Sequence, residues 1–287
     1  MPDLSVVIPT FDTAEMTLRC CRAVLGSMPD SSEVIVADDG STDGTAELLA
    51  REAPRVQVVP LETNRGFAAA ANRGVAAAQG RIVLLLNSDA IVQEGALRTI
   101  LAAFDDPRLG VAGARLLDED GTLQWSGGRT PTLPWMIGVV SGAGHLARRV
   151  RRDGRPPRID WVSGAAMAFR REVWHDAGPL SERYRFYCQD IDFCLRARRA
   201  GWDVRIVEEA RVVHALGGTV SARHALRYDP ARLWPDLLAW GTAHYGRAWS
   251  VVARTALVAA AAARVVWRRA GRDDIVRGMR SLIHSDA

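Results

Sequence analysis

The sequence predicts an α/β fold: a Rossmann-like mixed sheet flanked by helices, followed by a C-terminal helical extension. Three observations predict it. Over the first ~115 residues, short apolar segments alternate with amphipathic ones in the βα manner. Two of the apolar segments stop at carboxylates, and ligands of open α/β sheets bind at such strand ends. From Ala222 onward the pattern is helical and basic.

The N-terminal part contains four predicted strands and four predicted helices. Runs of Val, Ile and Leu, typical of a sheet covered on both faces, predict strands over Ser5 to Pro9, Val34 to Ala37, Val56 to Pro60 and Ile82 to Leu86. Helical periodicity predicts helices over Thr13 to Leu25, Asp43 to Arg51, Phe67 to Gln79 and Glu94 to Phe104. Ser41, Thr42 and Asp43 are capping residues for the second helix.

After Gly110 the regular alternation of short apolar and amphipathic segments ends. Strands are predicted over Val111 to Leu117, Trp161 to Phe169, Val204 to Val207 and Arg211 to His214, with a hairpin at Asp118 to Gly121. Helices are predicted over Arg171 to Ala177 and Asp190 to Ala200. The Gly-, Pro- and Arg-rich stretch from Pro131 to Pro157 predicts a long functional loop. We therefore expect two halves of one domain, residues 1–115 and 116–220, and a helical region over 221–287.

Bulk composition excludes several classes of protein. All 37 basic side chains are arginines, so a Schiff-base lysine and a P-loop lysine are ruled out. The net charge of +4 is mild, and we expect no nucleic-acid partner. The four cysteines form no Cys-x-x-Cys pair, which disfavours a zinc ribbon or a disulfide scaffold and fits a reducing cytosol.

Membrane and targeting signals are weak. Met1-Pro2-Asp3 lacks the basic start of a signal peptide. The longest apolar run near the C-terminus, Thr255 to Ala263, is shorter than the ~20 residues that a spanning helix needs. We expect a cytoplasmic protein. The arginines of residues 148–158 and the helical tail over Trp249 to Ile283 predict peripheral contact with the inner face of the plasma membrane. A solvated loop and a tail helix packed on the catalytic domain are an equal interpretation of these segments.

Asp38 and Asp39 follow the second predicted strand, beside Pro9-Thr10-Phe11 at the end of the first. A carboxylate there can accept hydrogen bonds from a pyrimidine imide or a ribose hydroxyl, and Phe11 can flank a base. Asp-Gly-Ser is also common turn chemistry, so a turn and helix cap is an equal interpretation of these residues alone.

Asn87-Ser88-Asp89 follows the fourth strand. A hard cation that bridges a diphosphate takes oxygen ligands, which Asp89 and Asn87 can supply. The alternative, a cap for the helix at Glu94, is too distant in sequence, so the cation site is favoured.

Two further candidates have little weight alone. Asp190 and Asp192 begin a helix, where the dipole stabilises their ionised forms; either is a general base or simply a cap. His214 ends a strand before two glycines, and is either a metal ligand or a satisfied polar residue.

Taken together, these segments resemble the inverting, GT-A fold glycosyltransferases of family 2, particularly the rhamnosyltransferase-like branch. The resemblance covers about residues 3 to 220, and its order and spacing are more specific than any single motif. The matching segments are Val7 to Phe11, Asp38 to Thr45, Asn64 to Phe67, Asn72 to Gly74, Leu86 to Asp89, Gly164 to Arg171, Asp190 to Trp202 and the strand that ends at His214.

The resemblance implies a metal-dependent transfer of a sugar, rhamnose favoured, from a dTDP- or UDP-linked donor to a glycan or lipid-linked acceptor. It implies Asp190 as general base, with Asp89 and His214 as ligands of Mg²⁺ or Mn²⁺. The donor side comprises Pro9, Thr10, Phe11, Asp38, Asp39, Asn64, Arg65, Gly66, Asn72, Asn87 and Ser88. The acceptor side comprises Trp161, Gly164, Gln189 and Asp192, and a homodimer is compatible with it.

Two departures from the family pattern concern the acceptor side. Gln189 stands where the family usually has Glu or Asp, which weakens the acidic cluster but leaves Asp190 in place. The segment Gly178-Pro179-Leu180-Ser181-Glu182 replaces the usual Gly-Phe-Asp-Glu.

Two other functions compete with this interpretation. A sugar-1-phosphate nucleotidyltransferase would also use a nucleotide-binding sheet, but the lysine-free chain and Pro9-Thr10-Phe11 disfavour it. A degenerate nucleotide-binding protein is conceivable because of Gln189, although Asp39, Asp89, Asp190 and His214 are all retained.

Overall fold

The computed structural model describes residues 2–142, 159–215, 229–267 and 271–285. These residues form two compact units. The first unit comprises residues 1–129, 158–182 and 189–218, and the second comprises residues 130–157, 183–188 and 219–287. The division at residues 115 and 220 that the sequence suggests stays a prediction.

The first unit is built on a mixed sheet of eight strands in the order β3-β2-β1-β4-β9-β6-β10-β5. Strands β1 to β4 are mutually parallel, β9 runs antiparallel to β4 and β6, and β5 runs antiparallel to β10. Their bounds are β1 Leu4–Thr10, β2 Ser32–Asp38, β3 Gln57–Pro60, β4 Ile82–Leu86, β5 Ala90–Val92, β6 Leu109–Leu117, β9 Ala166–Arg170 and β10 Asp203–His214. Every residue of β1 and β4 is buried, as the continuous apolar runs predict. The mixed α/β fold is therefore confirmed.

Six helices belong to the first unit: α1 Ala14–Ser27, α2 Thr45–Glu52, α3 Phe67–Ala77, α4 Ala96–Ala103, α6 Arg171–Ala177 and α7 Gln189–Arg199. The Asp43 carboxylate binds the first residue of two of these helices. It accepts the N–H of Ala14 in α1 at 2.9 Å and that of Thr45 in α2 at 3.2 Å. Helix α2 consequently begins at Thr45, two residues later than predicted.

Gly74 allows helix α3 to approach the sheet closely. A Cβ atom at this position would lie 2.4 Å from Cγ1 of Val7 in strand β1. No real Cβ contact is that short, so a side chain here would push α3 away from β1. The glycine of the Asn72-Arg73-Gly74 motif therefore serves packing.

The structure corrects three strand predictions in the first unit. The predicted strand Trp161 to Phe169 is two strands, β8 (Trp161–Val162) and β9, separated by a turn; β8 pairs with β7 (Gly127–Gly128) in a small second sheet. The two predicted strands at 204–207 and 211–214 form one strand, β10, because an irregularity in register between Val207 and Arg211 keeps both parts on β6. Strand β5 was not predicted, since three residues carry no periodicity.

The second unit contains helices α5 Leu133–Ser141, α8 Pro230–Tyr245, α9 Arg247–Trp267 and α10 Arg272–His284. Helix α5 corrects the prediction of a loop over Pro131 to Pro157. Thr132 caps it by accepting the N–H of Trp135, and Met136 and Val140 are buried one turn apart. The arginine-rich part of that predicted loop, residues 148–158, lies outside the described residues.

Helix α9 is longer than the apolar run Thr255 to Ala263 that it contains. By length and composition, its segment Arg247–Val266 is capable of crossing a membrane, and a third of that segment is buried. A buried helix of a water-soluble protein passes the same criteria. The expectation that no segment spans a membrane therefore stays a prediction.

Candidate active site

The carboxyl ends of β1 and β2 meet at one edge of the sheet. Thr10 and Asp38, the last residues of these strands, are paired in register, and the N–H of Asp39 donates to the carbonyl of Thr10 at 2.9 Å. Both aspartates are buried. The sheet register thus brings two of the predicted donor-side carboxylates to the edge where ligands of α/β sheets bind.

Asp39 holds the loop that leads into helix α3. Its Oδ1 accepts the N–H of Arg65 at 2.8 Å, and its Oδ2 accepts the N–H of Gly66 at 2.7 Å. Gly66 has a φ of +92°, which is accessible to glycine without strain. Burial raises the pKa of Asp39, and the two backbone donors oppose that rise. Three predicted donor-side residues are therefore joined in one hydrogen-bonded loop.

The loops that follow β1 and β2 are also bonded to each other. Asp12 accepts the N–H of Thr42 at 2.8 Å, and its own N–H donates to the hydroxyl of Ser41 at 2.9 Å. Ser41 in turn donates its N–H to Asp38 at 2.9 Å. Phe11, next to Asp12, is exposed, and its role in flanking a base stays a prediction.

A cluster of hydroxyl groups joins the end of β1 to the turn after β4. The Thr10 hydroxyl lies 2.6 Å from that of Thr17 and 2.8 Å from that of Thr13. The Thr13 hydroxyl lies 3.3 Å from that of Ser88. Thr10 and Ser88, both predicted on the donor side, thus contribute hydrogen bonds within the protein.

Asp89 and His214 meet although 125 positions separate them in sequence (214 − 89 = 125). Strand β5 pairs with β10 so that His214 stands opposite Ala90, the residue after Asp89. Nε2 of His214 lies 3.2 Å from Oδ1 of Asp89 and 3.2 Å from Nδ2 of Asn87. Sheet pairing therefore gathers the predicted metal ligands and Asn87 at one point.

Gln124 determines which nitrogen of His214 carries the proton. Its Nε2 donates to Asp118 at 2.8 Å and to the carbonyl of His214, so its Oε1 is the atom that faces Nδ1 of His214, at 3.0 Å. An amide oxygen only accepts hydrogen bonds, so Nδ1 bears the hydrogen. The other ring nitrogen, Nε2, faces Asn87 and Asp89.

These side chains fit a divalent cation in the chemistry of their donors. Asp89 offers a carboxylate oxygen, and a histidine held by a hydrogen bond on its other nitrogen is the usual form of a metal-binding histidine. Within residues 2–142, 159–215, 229–267 and 271–285, no three or more His, Cys, Asp and Glu side chains group closely enough to hold a metal ion. The candidate centre thus consists of one carboxylate and one imidazole.

The turn between β8 and β9 connects this centre to Asp190. Gly164 donates its N–H to Oδ2 of Asp190 at 2.9 Å, and the next residue, Ala165, accepts the N–H of Asn87 at 3.0 Å. Gly164, expected on the acceptor side, is therefore the residue that holds the candidate base. Adjacent residues of one turn bind both parts of the site.

Asp190 lies in the first turn of α7, half-buried. Its Oδ1 accepts the N–H of the next residue, Ile191, at 2.8 Å. Burial raises the pKa of Asp190 and outweighs the lowering effect of the Gly164 and Ile191 N–H groups. A carboxylate with a raised pKa is a stronger base than a solvated one, which suits proton transfer near neutral pH.

The other residues predicted on the acceptor side are buried in this arrangement, and their role in acceptor binding stays a prediction. Asp192 is buried and pairs with Arg196 at 2.9 Å, and Arg196 also donates to carbonyls of residues 177–179. Trp161 is buried, and its indole N–H donates to the carbonyl of Arg129 at 3.0 Å. Gln189 is buried at the start of α7.

Two donor-side residues contact the segment that departs from the family pattern. The Asn72 amide donates to the carbonyl of Leu180 and accepts its N–H, both at 3.0 Å. The Arg65 guanidinium lies 3.0 Å from Glu182. Asn64 is exposed. Their roles in donor binding stay predictions.

Sequence reasoning missed Gln124, and no signal in the sequence identifies it. It follows a hairpin, in a short extended segment whose alternate side chains Leu123 and Trp125 are exposed. Its importance comes from the position of His214 on β10, which is set by long-range pairing.

In the second unit, sequence reasoning also missed Asp236. This buried residue of helix α8 accepts the N–H groups of Arg185, Phe186 and Tyr187, at 3.1, 2.9 and 2.7 Å. Burial raises its pKa, and the three donors oppose that rise. Asp236 thereby fixes the conformation of residues 185–187.

The fold and the gathered side chains define a glycosyltransferase of the GT-A class. The chain belongs to glycosyl transferase family 2: the family profile described as "Glycosyl transferase family 2" matches residues 5–177. The family and the fold expected from the sequence motifs are thereby confirmed.

Curated relatives agree with the family. The chain is 29% identical, over 79% of its length and 79% of the relative's, to an N-acetylglucosaminyl-diphospho-decaprenol L-rhamnosyltransferase of Mycobacterium tuberculosis. It is 30% identical to the uncharacterized glycosyltransferase Mb0553 of Mycobacterium bovis, over 71% of this chain and 82% of that one.

Solved structures share the fold. The mannosyltransferase PcManGT of Pyrobaculum calidifontis, in complex with GDP-Man and Mn²⁺, superposes with a TM-score of 0.63 at 18% identity, covering 100% of this chain and 88% of that chain. GalNAc-T7 with UDP, GalNAc and Mn²⁺ gives a TM-score of 0.58 at 18% identity, covering 75% of this chain and 44% of that chain.

Proposed function

We propose that this glycosyltransferase is metal-dependent and inverting, and that it transfers a sugar from a nucleoside diphosphate to an acceptor hydroxyl. The observation that carries the proposal is the meeting of Asp89 and His214, 3.2 Å apart, at the carboxyl end of β4. Gly164 and Ala165 join that pair to Asp190. A cation centre and a general base are the two elements that such a transfer needs.

Asp89, His214 and Asn87 are the residues that would hold the cation. A bound Mg²⁺ or Mn²⁺ would supply positive charge to the diphosphate of the donor. The carboxylate suits both ions, whereas the imidazole favours Mn²⁺ over Mg²⁺, which prefers oxygen ligands. Gln124 would hold the ring so that Nε2 faces the cation, because its Oε1 engages the other nitrogen of His214.

Asp190 acts as the general base. Its carboxylate accepts the proton of the acceptor hydroxyl while the hydroxyl oxygen forms a bond to the anomeric carbon. The bond from that carbon to the diphosphate oxygen breaks in the same displacement, which inverts the configuration. The N–H groups of Gly164 and Ile191 orient the carboxylate, and each of its oxygens retains a lone pair with which to accept the proton.

For the donor we propose dTDP-rhamnose first and a UDP-sugar second. Support comes from the motifs of the rhamnosyltransferase-like branch and from the name of the mycobacterial relative. That name also supports a lipid-linked acceptor, a glycan on a polyprenyl diphosphate. Asp38, Asp39 and Phe11 are proposed to receive the nucleoside, in a cytoplasmic protein that contacts the membrane peripherally.

The experiment measures release of nucleoside diphosphate from dTDP-rhamnose, UDP-sugars and GDP-mannose in the presence of Mn²⁺, with and without chelator. Asp89→Ala should abolish release and leave the circular dichroism spectrum unchanged, because it removes the only carboxylate of the pair. The matched control, Asp30→Ala, removes an exposed aspartate and should have no effect.

Four outcomes would contradict parts of this proposal. Full turnover in excess chelator would exclude the cation. Calorimetric binding that is tightest for GDP would exclude the pyrimidine donor. Pyrophosphate release from a nucleoside triphosphate and a sugar phosphate would indicate a nucleotidyltransferase, and nucleotide binding without turnover of any donor would indicate a degenerate protein.

A further inference from the structure

The outer face of helix α9 is apolar although it is exposed. The residues of this face recur at helical spacing over about 27 Å, since each residue of a helix adds about 1.5 Å. They are Ala248, Val251, Val252, Thr255, Ala259, Ala262, Ala263 and Val266. Val252 is 62% exposed and Val266 is 81% exposed. A surface helix usually carries charged side chains on the face turned away from the core.

The one hydroxyl on this outer face does not need water. The Thr255 hydroxyl donates to the carbonyl of Val251, one turn earlier in the same helix, at 3.0 Å. Every other member of the face is alanine or valine, so each side-chain polar group of these eight residues is bonded within the helix. Such a surface can leave water without losing a hydrogen bond.

The inner face of α9 packs against the other three helices of the second unit, α5, α8 and α10. The Arg254 guanidinium donates to the carbonyls of Leu282, Ile283 and Ser285, and the Arg264 guanidinium donates to those of Val139 and Val140. A helix that crossed a bilayer alone would give up these bonds and place both guanidinium groups in hydrocarbon, which is costly.

The charge of the second unit as a whole favours an anionic partner for the outer face. In the described part of the second unit, Asp273 is the only exposed carboxylate. The exposed cations there are Arg183, Arg185, Arg232, Arg247, Arg272, Arg277 and Arg280. Arg232 and Arg277 are paired with the buried Asp229 and Asp274, and the other five still outnumber the one exposed carboxylate. A second copy of the chain would bring like charges together across a twofold interface, whereas anionic lipid headgroups would attract them.

We propose that α9 lies flat on an anionic lipid surface, with its outer face in the interface and its inner face on the protein, and that it does not cross the bilayer. An exposed apolar helix face on a unit rich in arginine is typical of helices that lie in the membrane interface. This inference deepens the membrane contact of the proposed function. Its test measures binding and not turnover, so its failure is distinguishable from failure of the glycosyltransfer proposal.

The first experiment sediments the full chain with vesicles of phosphatidylglycerol and phosphatidylcholine, and with phosphatidylcholine alone. We expect binding to the anionic vesicles that weakens with added salt. Ala259→Glu/Ala262→Glu should lower the partition coefficient about 10-fold or more, because two carboxylates would face anionic headgroups. The matched control, Ala50→Glu/Ala76→Glu, changes two exposed helical alanines of the first unit and should bind as the wild type does.

The second experiment distinguishes lying from crossing. Spin labels on Val252→Cys, Ala259→Cys and Val266→Cys should report the same shallow depth by oxygen and nickel accessibility. The four native cysteines are buried and do not compete for the label. A depth that increases steadily along the helix would overturn the proposal. So would absence of binding to anionic vesicles at low salt, or a dimer in light scattering that Ala259→Glu/Ala262→Glu converts to a monomer.

Discussion

Nδ1 of His214 lies 3.0 Å from Oε1 of Gln124, whose amide nitrogen is engaged by two acceptors. The pairing fixes the imidazole in one tautomer and one orientation. It also directs Nε2 to the place where Asp89 and Asn87 converge. Residues that hold a metal-binding histidine in this way usually matter nearly as much as the ligand itself.

Gln124→Leu should weaken Mn²⁺ binding by about 10- to 100-fold, because His214 loses the acceptor that fixes its tautomer. Loss of the free Mn²⁺ signal in electron paramagnetic resonance titrations measures this affinity without turnover. Thr122→Val is the control: it removes a hydrogen bond to Asp118 from the same hairpin but none from His214. Equal affinity of Gln124→Leu and Thr122→Val for Mn²⁺ would refute the role of Gln124.

Asp190→Asn should lower kcat by roughly 10²- to 10⁴-fold, since an amide cannot take a proton from the acceptor. Donor affinity, measured by calorimetry, should hardly change. Asp192→Asn is the comparison, because Asp192 is occupied by Arg196. It should keep most turnover and lose about 1–3 kcal/mol of unfolding free energy, the cost of a weakened buried hydrogen bond to a charge. If Asp192→Asn lost turnover and Asp190→Asn kept it, Asp192 would be the general base instead.

The pH dependence of kcat should reflect the burial of Asp190. Its pKa is raised from the ordinary value of 3.8, and a general base works only when it is deprotonated. Activity should therefore fall as the pH is lowered through the raised pKa, at a higher pH than an exposed aspartate would give. The residual activity of Asp190→Asn should lack this acid limb. An unchanged limb in Asp190→Asn would assign the titration to another group.

Asp39→Asn should reduce stability more than Asp38→Asn does. The Asp39 carboxylate accepts two backbone N–H groups with its two oxygens, and an asparagine retains only one acceptor oxygen. We expect a loss of about 1–3 kcal/mol in unfolding free energy, because one backbone N–H loses its charged acceptor. Asp38 accepts the N–H of Ser41 through a single oxygen, which asparagine can replace. Urea unfolding of both variants provides the measurement, and equal losses would argue against this role of Asp39.

Much of the fold was predictable because its information is local. The buried runs of β1 and β4 and the periodicity of α1 and α3 place each element to within a few residues. Errors occur where local patterns are short or misleading. The three residues of β5 carry no period, and Gly and Pro near α5 masked an apolar helix that begins at a threonine cap.

The sequence by itself determined the alternation of strands and helices, the carboxylates at the ends of β2 and β4, and the motifs of glycosyl transferase family 2. Tertiary structure alone decided that Asp89 meets His214 and that Gln124 orients the imidazole. The physical reason is the distance along the sequence over which each interaction acts. Periodicity and capping act within a few residues, whereas the pairing of β5 with β10 depends on the strand order of the whole sheet.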